Sequence, residues 1–328
     1  MPGLVPGIHV PHPNPPPQAG EGREGAKAWM AGPSPAMTSD GPAQLRMNTT
    51  HTDRYLLSGL MGWPVMHSRS PQLHNYWLAQ HGLTGSYLPL AIKPEALRGA
   101  LRALPALGFS GCNLTIPHKQ AALGMVDRLD PVAKRIGAVN CVVVSPDGSL
   151  EGRNTDAFGF IESVREAQPG WRADAGPTAV IGAGGGARAV LVGLIDQGAR
   201  EIRLVNRTPA RAAALAQELG GPIKPLDWAQ RHLALDGAAM LINTTNQGMV
   251  GEPPLDLALD RLPVGTLVCD IIYIPRETPL LAAARKRGNP TMNGLGMLIH
   301  QARPAFHAWF GIMPEATPEL RAMVEATT

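Results

Sequence analysis

The chain has 328 residues, enough for two domains with sizeable cores, and its 44% hydrophobic and 17% charged residues are typical of a globular protein. A net charge of +3, without basic runs interleaved with aromatic residues, argues against a nucleic-acid-binding protein. No apolar run approaches the roughly 20 residues of a membrane span, and three isolated cysteines indicate neither disulfides nor a zinc site. We expect a soluble cytoplasmic protein without a metal.

The first 46 residues differ in composition from the rest of the chain. They contain ten of the 32 prolines and show no sustained apolar period. Such a segment cannot bury enough apolar surface to offset the loss of chain entropy on folding. It also lacks the apolar core of a signal peptide. We predict a disordered tail over residues 1–46, with Met47 as an alternative start of translation.

From residue 54 onward, strand-like and helix-like segments alternate. The runs YLLSGLMG, SYLPLAI and FSGCNLT predict three strands, each followed by a helix; these helices begin at Pro71, at Pro94 and near Pro117, and the second extends to Leu107. AVNCVVV and SLEGRNT flank the turn Pro-Asp-Gly and predict a hairpin. The alternation predicts an α/β domain over residues 47–155, with a mostly parallel sheet and an antiparallel edge.

A second alternating series begins at Asp156. A helix is followed by four strand–helix units, whose strands are TAVIG, EIRLVN, AAMLINT and TLVCDII. This order predicts a doubly wound Rossmann domain over residues 156–293. The last helices, from Gly294 and Pro318, could pack on either half, and we assign residues 294–328 to the first domain. The predicted fold class is therefore α/β throughout.

The glycine-rich turn after TAVIG predicts a dinucleotide site. Gly182-x-Gly184-x-x-Ala187 follows an apolar strand and begins a helix. Gly182 permits a tight turn, and Gly184 lets the backbone approach a pyrophosphate bound at the helix N-terminus. A glycine triplet can be no more than a flexible turn, but the strand and the helix that flank this one favour the functional interpretation.

The end of the next strand indicates which dinucleotide is bound. NAD-binding domains usually place Asp or Glu about 20 residues after the glycines, whereas this chain has Asn206, Arg207 and Thr208, followed by Arg211. Two guanidinium groups can bind a ribose 2′-phosphate through charge-assisted hydrogen bonds. The alternative is a solvated helix start, but two arginines there oppose the helix dipole unless an anion is bound. We predict NADP(H).

Three clusters of polar residues follow predicted strands of the first domain. Ser68 and Ser70 precede a helix, where their hydroxyls can bind a carboxylate, although Ser70 before Pro71 is also typical of an N-cap. Lys119 lies in a first helical turn, where the dipole disfavours a cation, so we expect it to face a cleft. Asp156 begins a helix, a position that also suits simple compensation of the dipole.

Together these segments resemble the shikimate dehydrogenase family. The resemblance runs from about residue 55 to residue 311 and rests on eight motifs in the family's order. The motifs are GLMGWPVMHSRSP, NLTIPHK, IGAVN, EGRNTD, GAGGGARAV, NRT, DIIYIPRETPLL and GLGMLIHQA. The resemblance implies an NADP(H)-dependent oxidoreductase that reversibly reduces 3-dehydroshikimate to shikimate, in the biosynthesis of chorismate and aromatic amino acids. The sequence does not determine the oligomeric state, and a homodimer is compatible with it.

The resemblance also implies roles for individual residues. Lys119 and Asp156 would form the catalytic pair. The anionic substrate would be bound by Ser68, Ser70, Thr115, Asn140, Asp156, Tyr273 and Gln301. The NADP(H) site would be lined by Gly182, Ala183, Gly184, Gly185, Gly186, Asn206, Arg207, Thr208, Arg211, Ile271 and Gly294. The histidines receive no role, and we expect His67, His74, His118 and His300 to be packing or surface residues.

Gln301 has support that does not depend on the resemblance. It shares a helical face with Leu298 and Ala305, which predicts that its amide points inward, where it needs hydrogen-bond partners. Three other positions depart from the family pattern without removing a catalytic group. These are Cys112, Cys141 and Asn246.

Two other functions compete with this interpretation. A quinate or quinate/shikimate dehydrogenase of the same fold often prefers NAD and alters the serine pair. The pair Asn206-Arg207 and the pair Ser68/Ser70 argue against it. A catalytically silent NADP-binding regulatory module would lack the Lys119–Asp156 pair, which this chain retains.

Overall fold

The computed structural model of the protein describes residues 54–326. The predicted tail, residues 1–46, lies outside the described residues, as do residues 47–53 and 327–328. The described part of the chain contains two six-stranded sheets with helices packed on them. Among the helices between residues 54 and 326, none is both long enough and apolar enough to cross a membrane.

The N-terminal sheet is mixed. Its strands are β1 (Leu56–Gly62), β2 (Gly85–Ala91), β3 (Gly111–Leu114), β4 (Arg128–Leu129), β5 (Cys141–Val144) and β6 (Leu150–Arg153). They lie in the order β2-β1-β3-β5-β6-β4, and only β5 runs antiparallel to its neighbours within this described sheet. The prediction of an antiparallel edge is therefore wrong, because the short strand β4 pairs parallel to β6 and leaves β5 inside the sheet.

Four α-helices connect the strands of this sheet. They are α1 (Ser70–Gln80), α2 (Leu97–Ala103), α3 (His118–Ala121) and α4 (Pro131–Ile136). The helix predicted to extend to Leu107 is shorter: it begins as a 3-10 turn, Pro94–Ala96, and ends before Pro105, which cannot donate a backbone hydrogen bond. The helix after Pro117 is one α-helical turn followed by the 3-10 turn Ala122–Gly124.

The second sheet is entirely parallel. Its strands are β7 (Thr178–Ile181), β8 (Ile202–Val205), β9 (Ile223–Leu226), β10 (Met240–Asn243), β11 (Leu267–Asp270) and β12 (Thr291–Met292). The connecting α-helices are α5 (Asp156–Ala167), α6 (Gly185–Asp196), α7 (Pro209–Leu219) and α8 (Pro279–Lys286). The order β12-β11-β10-β7-β8-β9 is that of a doubly wound dinucleotide-binding sheet, with its switch point between β7 and β10.

Both faces of this second sheet are buried, as its near-continuous apolar strands require. In β7, Val180 packs in one core cluster, whereas Ala179 and Ile181 pack in another on the opposite face. Burying each Val or Ile stabilises the sheet by about 1.5–3 kcal/mol. The ends of β7 and β10 are thereby held rigidly at the edge where the glycine-rich turn begins.

The segment between β10 and β11 contains no helix, so the helix predicted there is wrong. Residues 244–266 form turns, bends and irregular backbone instead. Pro253, Pro254 and Pro263 lie in this segment, and each lacks a backbone donor and has a restricted φ. These prolines interrupt a regular helix at their positions in the connection.

Two C-terminal helices, α9 (Leu295–Phe310) and α10 (Pro318–Glu325), contact helices from earlier in the chain. Both pack against α1, and α9 also packs along α5. At the α5–α9 crossing, a Cβ atom on Gly159 would lie 2.5 Å from Cβ of Gln301, so only glycine allows this approach. The crossing brings Gln301 close to the first turn of α5, where Asp156 lies.

Candidate functional site

A cavity of about 400 Å³ lies between the carboxyl ends of strands from both sheets. Many of the predicted site residues line it. They are Ser68, Ser70, Thr115, Lys119, Asn140, Asp156, Gly184, Gly185, Gly186, Ile271, Tyr273, Gly294 and Gln301. The other predicted residues lie outside the cavity lining, after the neighbouring ends of β7 and β8 or, for Arg211, in the first turn of α7. They are Gly182, Ala183, Asn206, Arg207, Thr208 and Arg211.

An ion pair at this cavity joins α3, which follows β3, to the start of α5, which follows β6. The ammonium group of Lys119 donates to Oδ2 of Asp156 at 2.7 Å, and the side chains are 22% and 5% exposed. Oδ1 of Asp156 accepts from Nδ2 of Asn140 at 2.8 Å. Asp156 begins α5, where the helix dipole favours a negative charge. Both carboxylate oxygens are thus held by donors, and the lysine is held toward the cavity.

Asn140 connects three elements around this pair. Besides Asp156, its Nδ2 lies 2.9 Å from Oγ1 of Thr155 and 3.3 Å from Oε1 of Gln301, and its Oδ1 accepts from the Thr155 backbone N–H. Gln301 donates from Nε2 to the Leu298 carbonyl at 3.0 Å, which orients its Oε1 toward the polar cluster. The predicted inward orientation of Gln301 is therefore confirmed, and its amide also makes the intrahelical bond.

Ser68 and Ser70 lie side by side at the start of α1. Oγ of Ser68 accepts from the backbone N–H of Ser70 at 3.2 Å, and the two hydroxyl oxygens are 3.3 Å apart. The N-cap residue is Arg69, and Ser70 is the first helical residue, so the N-cap interpretation of Ser70 is wrong. Burial raises the pKa of Tyr273, and its hydrogen bond with Ser68 opposes that shift. The predicted substrate residue Tyr273 thus lies beside Ser68.

Several polar residues of the site have no assignment from the sequence. Asn113 lines the cavity, donates to the Asn140 carbonyl at 3.0 Å and accepts from the Tyr87 hydroxyl at 2.8 Å. Thr155 belongs to the same network. Its place in the polar motif EGRNTD is the sequence feature that could have identified it as a site residue. Tyr87 lies in an apolar strand without any motif, so only the folded structure shows its contact.

The glycine-rich turn has the geometry that a pyrophosphate requires. Gly182 has φ of 112°, and a Cβ there would lie 2.5 Å from Oγ1 of Thr244. A Cβ on Gly184 would project into open space, and no side chain caps the N-terminus of α6, which begins at Gly185. Free backbone donors at a helix N-terminus, beside space for a ligand, fit a bound dinucleotide.

The end of β8 lies beside this turn, since the Gly182 backbone N–H donates to the Val205 carbonyl at 2.8 Å. Asn206 then donates from Nδ2 to the Thr208 carbonyl at 2.9 Å. Arg207 and Arg211 are exposed, and in the part of the chain that the structure describes neither side chain has an ion-pair partner. Both guanidinium groups are available to an anion bound at this edge.

The histidines have the environments expected for packing and surface residues. His74 is fully buried and stacks on the ring of Tyr87 at 4.2 Å, and burial lowers its pKa to about 3. His118 is bonded to the Ile92 carbonyl, and His300 to Glu166. His67 is exposed, although it contributes to the cavity lining.

Models of one enzyme family match most of the described chain. Residues 60–142 match the shikimate dehydrogenase substrate binding domain, residues 171–251 match shikimate/quinate 5-dehydrogenase, and residues 294–322 match the shikimate 5′-dehydrogenase C-terminal domain. The shikimate dehydrogenase (NADP(+)) of Paramagnetospirillum magneticum is 57% identical over 268 residues, which are 82% of this chain and 97% of that protein. The chain belongs to the shikimate dehydrogenase family. The prediction made from the eight motifs is confirmed.

Solved structures of the shikimate dehydrogenase family share the fold. The Thermus thermophilus shikimate 5-dehydrogenase in complex with NADP(H) and shikimate is 37% identical, with a TM-score of 0.74 over 83% of this chain and 100% of that one. The Corynebacterium glutamicum quinate dehydrogenase in complex with NAD is 31% identical, with a TM-score of 0.76 over 83% and 98%. The predicted α/β fold class is confirmed, and the family includes both substrate types.

Proposed function

We propose that the protein catalyses the reversible NADPH-dependent reduction of 3-dehydroshikimate to shikimate. The observation that carries the proposal is the Lys119–Asp156 pair in the cavity, facing the glycine-rich turn. A Cβ on Gly185 would lie 4.0 Å from Cδ of Lys119, so the lysine stands beside the turn proposed to hold the cofactor. The names of the relatives and the NADP(H) and shikimate of the Thermus complex support this assignment.

The proposed substrate contacts follow the polarity of the cavity. The adjacent hydroxyls of Ser68 and Ser70, with Tyr273 beside them, are suited to a carboxylate. The ring hydroxyls would meet the polar side chains around the ion pair. These are Thr115, Asn140, Asp156 and Gln301.

The proposed cofactor contacts divide between the two strand ends. Gly182, Ala183, Gly184, Gly185 and Gly186, with the N-terminus of α6, would hold the pyrophosphate. Asn206, Arg207, Thr208 and Arg211 would hold the adenosine ribose and its 2′-phosphate. Ile271 and Gly294 would form the wall of the cavity. When bound, NADPH supplies the hydride that the carbonyl carbon receives.

The reacting oxygen needs electrophilic help, which Lys119 is placed to supply. Negative charge develops on the carbonyl oxygen during reduction, and an ammonium group within hydrogen-bond reach stabilises that charge and donates a proton. Asp156 orients the ammonium through the 2.7 Å ion pair. In the oxidation direction, the neutral amine form of the same lysine accepts the hydroxyl proton and becomes the ammonium.

We also propose a domain division, a cellular location and an oligomeric state for the enzyme. Residues 47–155 with 294–328 would bind the substrate, and residues 156–293 would bind NADP(H). The three cysteines are buried and unpaired, which supports a reducing cytoplasm. A homodimer is proposed for the assembly, to be checked by light scattering of the purified protein.

A two-by-two assay tests the function. Shikimate and quinate are each offered with NADP⁺ and with NAD⁺, and the reduced cofactor is followed by absorbance. We expect the highest kcat/KM with shikimate and NADP⁺. A higher kcat/KM with quinate and NAD⁺ would assign the protein to the quinate branch of the family, and no turnover with any pair would refute catalysis.

A further inference from the structure

Asp270 is a buried carboxylate that the proposed function does not use. It ends β11 and is 0% exposed. Its Oδ1 accepts from Nδ2 of Asn243 and from the Ile272 backbone N–H, each at 3.1 Å, and its Oδ2 accepts from the Thr278 hydroxyl at 2.7 Å. Within residues 54–326 it forms no ion pair, so neutral donors alone stabilise its charge. Burial raises the pKa of Asp270 to about 6, against the opposing effect of those donors.

A buried acid without a counterion is costly to a protein, so its position calls for a specific reason. One reason lies on the β10 side. Nδ2 of Asn243 faces Asp270 and also donates to the Gln247 carbonyl at 3.2 Å. This orientation turns Oδ1 of Asn243 toward Thr245, where it accepts from the backbone N–H at 3.0 Å and from the hydroxyl at 2.7 Å. Thr245 lines the cavity.

The second reason lies on the β11 side. The bond from the Ile272 N–H to Asp270 fixes the turn that carries Ile271 and Tyr273 into the cavity. The same turn is held from its other side, because the Gly294 N–H donates to the Ile272 carbonyl at 2.9 Å. Ile271 in turn contacts the glycine-rich region: a Cβ on Gly186 would lie 2.7 Å from its Cδ1.

We propose that Asp270 is a positioning residue for NADP(H): its carboxylate holds the turn after β10 and the turn after β11 together, so that Thr245 and Ile271 line the cofactor side of the cavity. The inference rests on the proposed function for the identity of the ligand. Three donors converge on the carboxylate. An alanine would leave the Ile272 N–H and the Thr278 hydroxyl without this acceptor, and Nδ2 of Asn243 with only the Gln247 carbonyl. Asn243 would then lose the partner that orients its amide toward Thr245.

The test measures NADPH affinity without substrate, by fluorescence titration well below the melting temperature. Asp270→Ala should raise the Kd for NADPH about tenfold, because the hydrogen bonds that position Thr245 and Ile271 at the cofactor side of the cavity are lost. Asp270→Asn keeps the shape and one acceptor oxygen, so it should restore the Kd to within about threefold of wild type. Asp260→Ala removes an exposed aspartate of the same region and should leave the Kd unchanged.

Asn243→Ala tests the same connection independently. It removes the link to Thr245 while keeping the carboxylate, and it should raise the Kd about as much as Asp270→Ala. The two substitutions act on one connection, so the double variant should be little worse than either single variant.

A merely structural role would lower the melting temperature of Asp270→Ala and leave its Kd at the wild-type value, which would overturn the proposal. If Asp270→Ala does not fold, a wild-type Kd for Asn243→Ala has the same consequence. Should the unmodified protein fail to bind NADPH at all, both this inference and the proposed function are wrong. If it binds NADPH and oxidises shikimate while the variants bind equally well, only the inference is wrong.

Discussion

Nζ of Lys119 and Oδ2 of Asp156 lie 2.7 Å apart, although the two residues belong to helices that follow different strands, β3 and β6. Lys119 comes from the single turn of α3, and Asp156 begins α5. Asn140 holds the other oxygen of the carboxylate at 2.8 Å. The position of the lysine therefore depends on the aspartate, and the two residues should behave as one unit in catalysis.

Replacing Lys119 by alanine should lower kcat far more than it changes the KM for shikimate. The ammonium is assigned to the charge that develops on the reacting oxygen, and general acid–base help is typically worth about 10²–10⁴-fold. Steady-state kinetics with shikimate and NADP⁺ measure the effect. A variant that keeps the wild-type kcat and only raises KM would make Lys119 a binding residue.

Asp156→Ala should lower kcat and also raise the KM for shikimate, because Asp156 is assigned both an orienting and a hydroxyl-binding role. The Lys119→Ala/Asp156→Ala double variant should be hardly slower than the slower single variant, as for residues that act together. NADPH affinity serves as the control and should stay near the wild-type value in all three proteins. Multiplicative losses in the double variant would show two independent roles.

The unpaired guanidinium groups of Arg207 and Arg211 should set the cofactor preference. We expect kcat/KM to favour NADP⁺ over NAD⁺ by at least about tenfold, or 1.4 kcal/mol, and the Arg207→Ala/Arg211→Ala double variant to lose most of that gap. Arg200→Ala, which removes an exposed arginine already paired with Asp174, is the matched control. Equal use of both cofactors by the unmodified enzyme would contradict the phosphate-binding role.

Gln301→Ala should raise the KM for shikimate about fivefold and leave the KM for NADP⁺ unchanged. Oε1 of Gln301 lies 3.3 Å from Nδ2 of Asn140 at the cavity, and one hydrogen bond is worth about 1 kcal/mol. Gln80→Ala, at the exposed end of α1, is the control for loss of a carboxamide. A change in the NADP⁺ constant instead would place Gln301 on the cofactor side.

The raised pKa of Asp270 predicts a pH effect on stability. The folded protein binds this proton more tightly than the unfolded chain does, because burial raises the pKa from 3.8 to about 6. The group therefore contributes stability at low pH that is lost as the pH rises through that window. Asp270→Asn does not titrate, so its free energy of unfolding relative to wild type should increase by about 1 kcal/mol between about pH 5 and about pH 7.5.

Urea unfolding of both proteins at the two pH values measures this difference. Comparing the pair removes the contribution of every other titrating group that both share. A difference that is constant with pH would mean that the carboxyl group has the same pKa in the folded and unfolded chains.

Local patterns carried much of what could be predicted about this protein. The alternation of strands and helices, the glycine-rich turn before α6 and the arginines after β8 each lie within a short stretch of chain. Apolar periodicity and turn chemistry report the conformation of their own segment, so fold class was accessible to sequence reasoning. The eight ordered motifs led to the family in the same way.

Contacts between distant segments were not accessible in this way. Gln301 lies 146 residues from Thr155, and the two meet only because Gly159 lets α9 approach α5. Strand β4 is too short for any periodic signal, yet its pairing with β6 leaves β5 inside the sheet. The alternation of strands and helices predicts a helix between β10 and β11, but the prolines of this connection interrupt it. Likewise, Asp270 is the first residue of the motif DIIYIPRETPLL, but the motif gave it no role. The proposed role rests on three donors that only tertiary packing brings around its carboxylate.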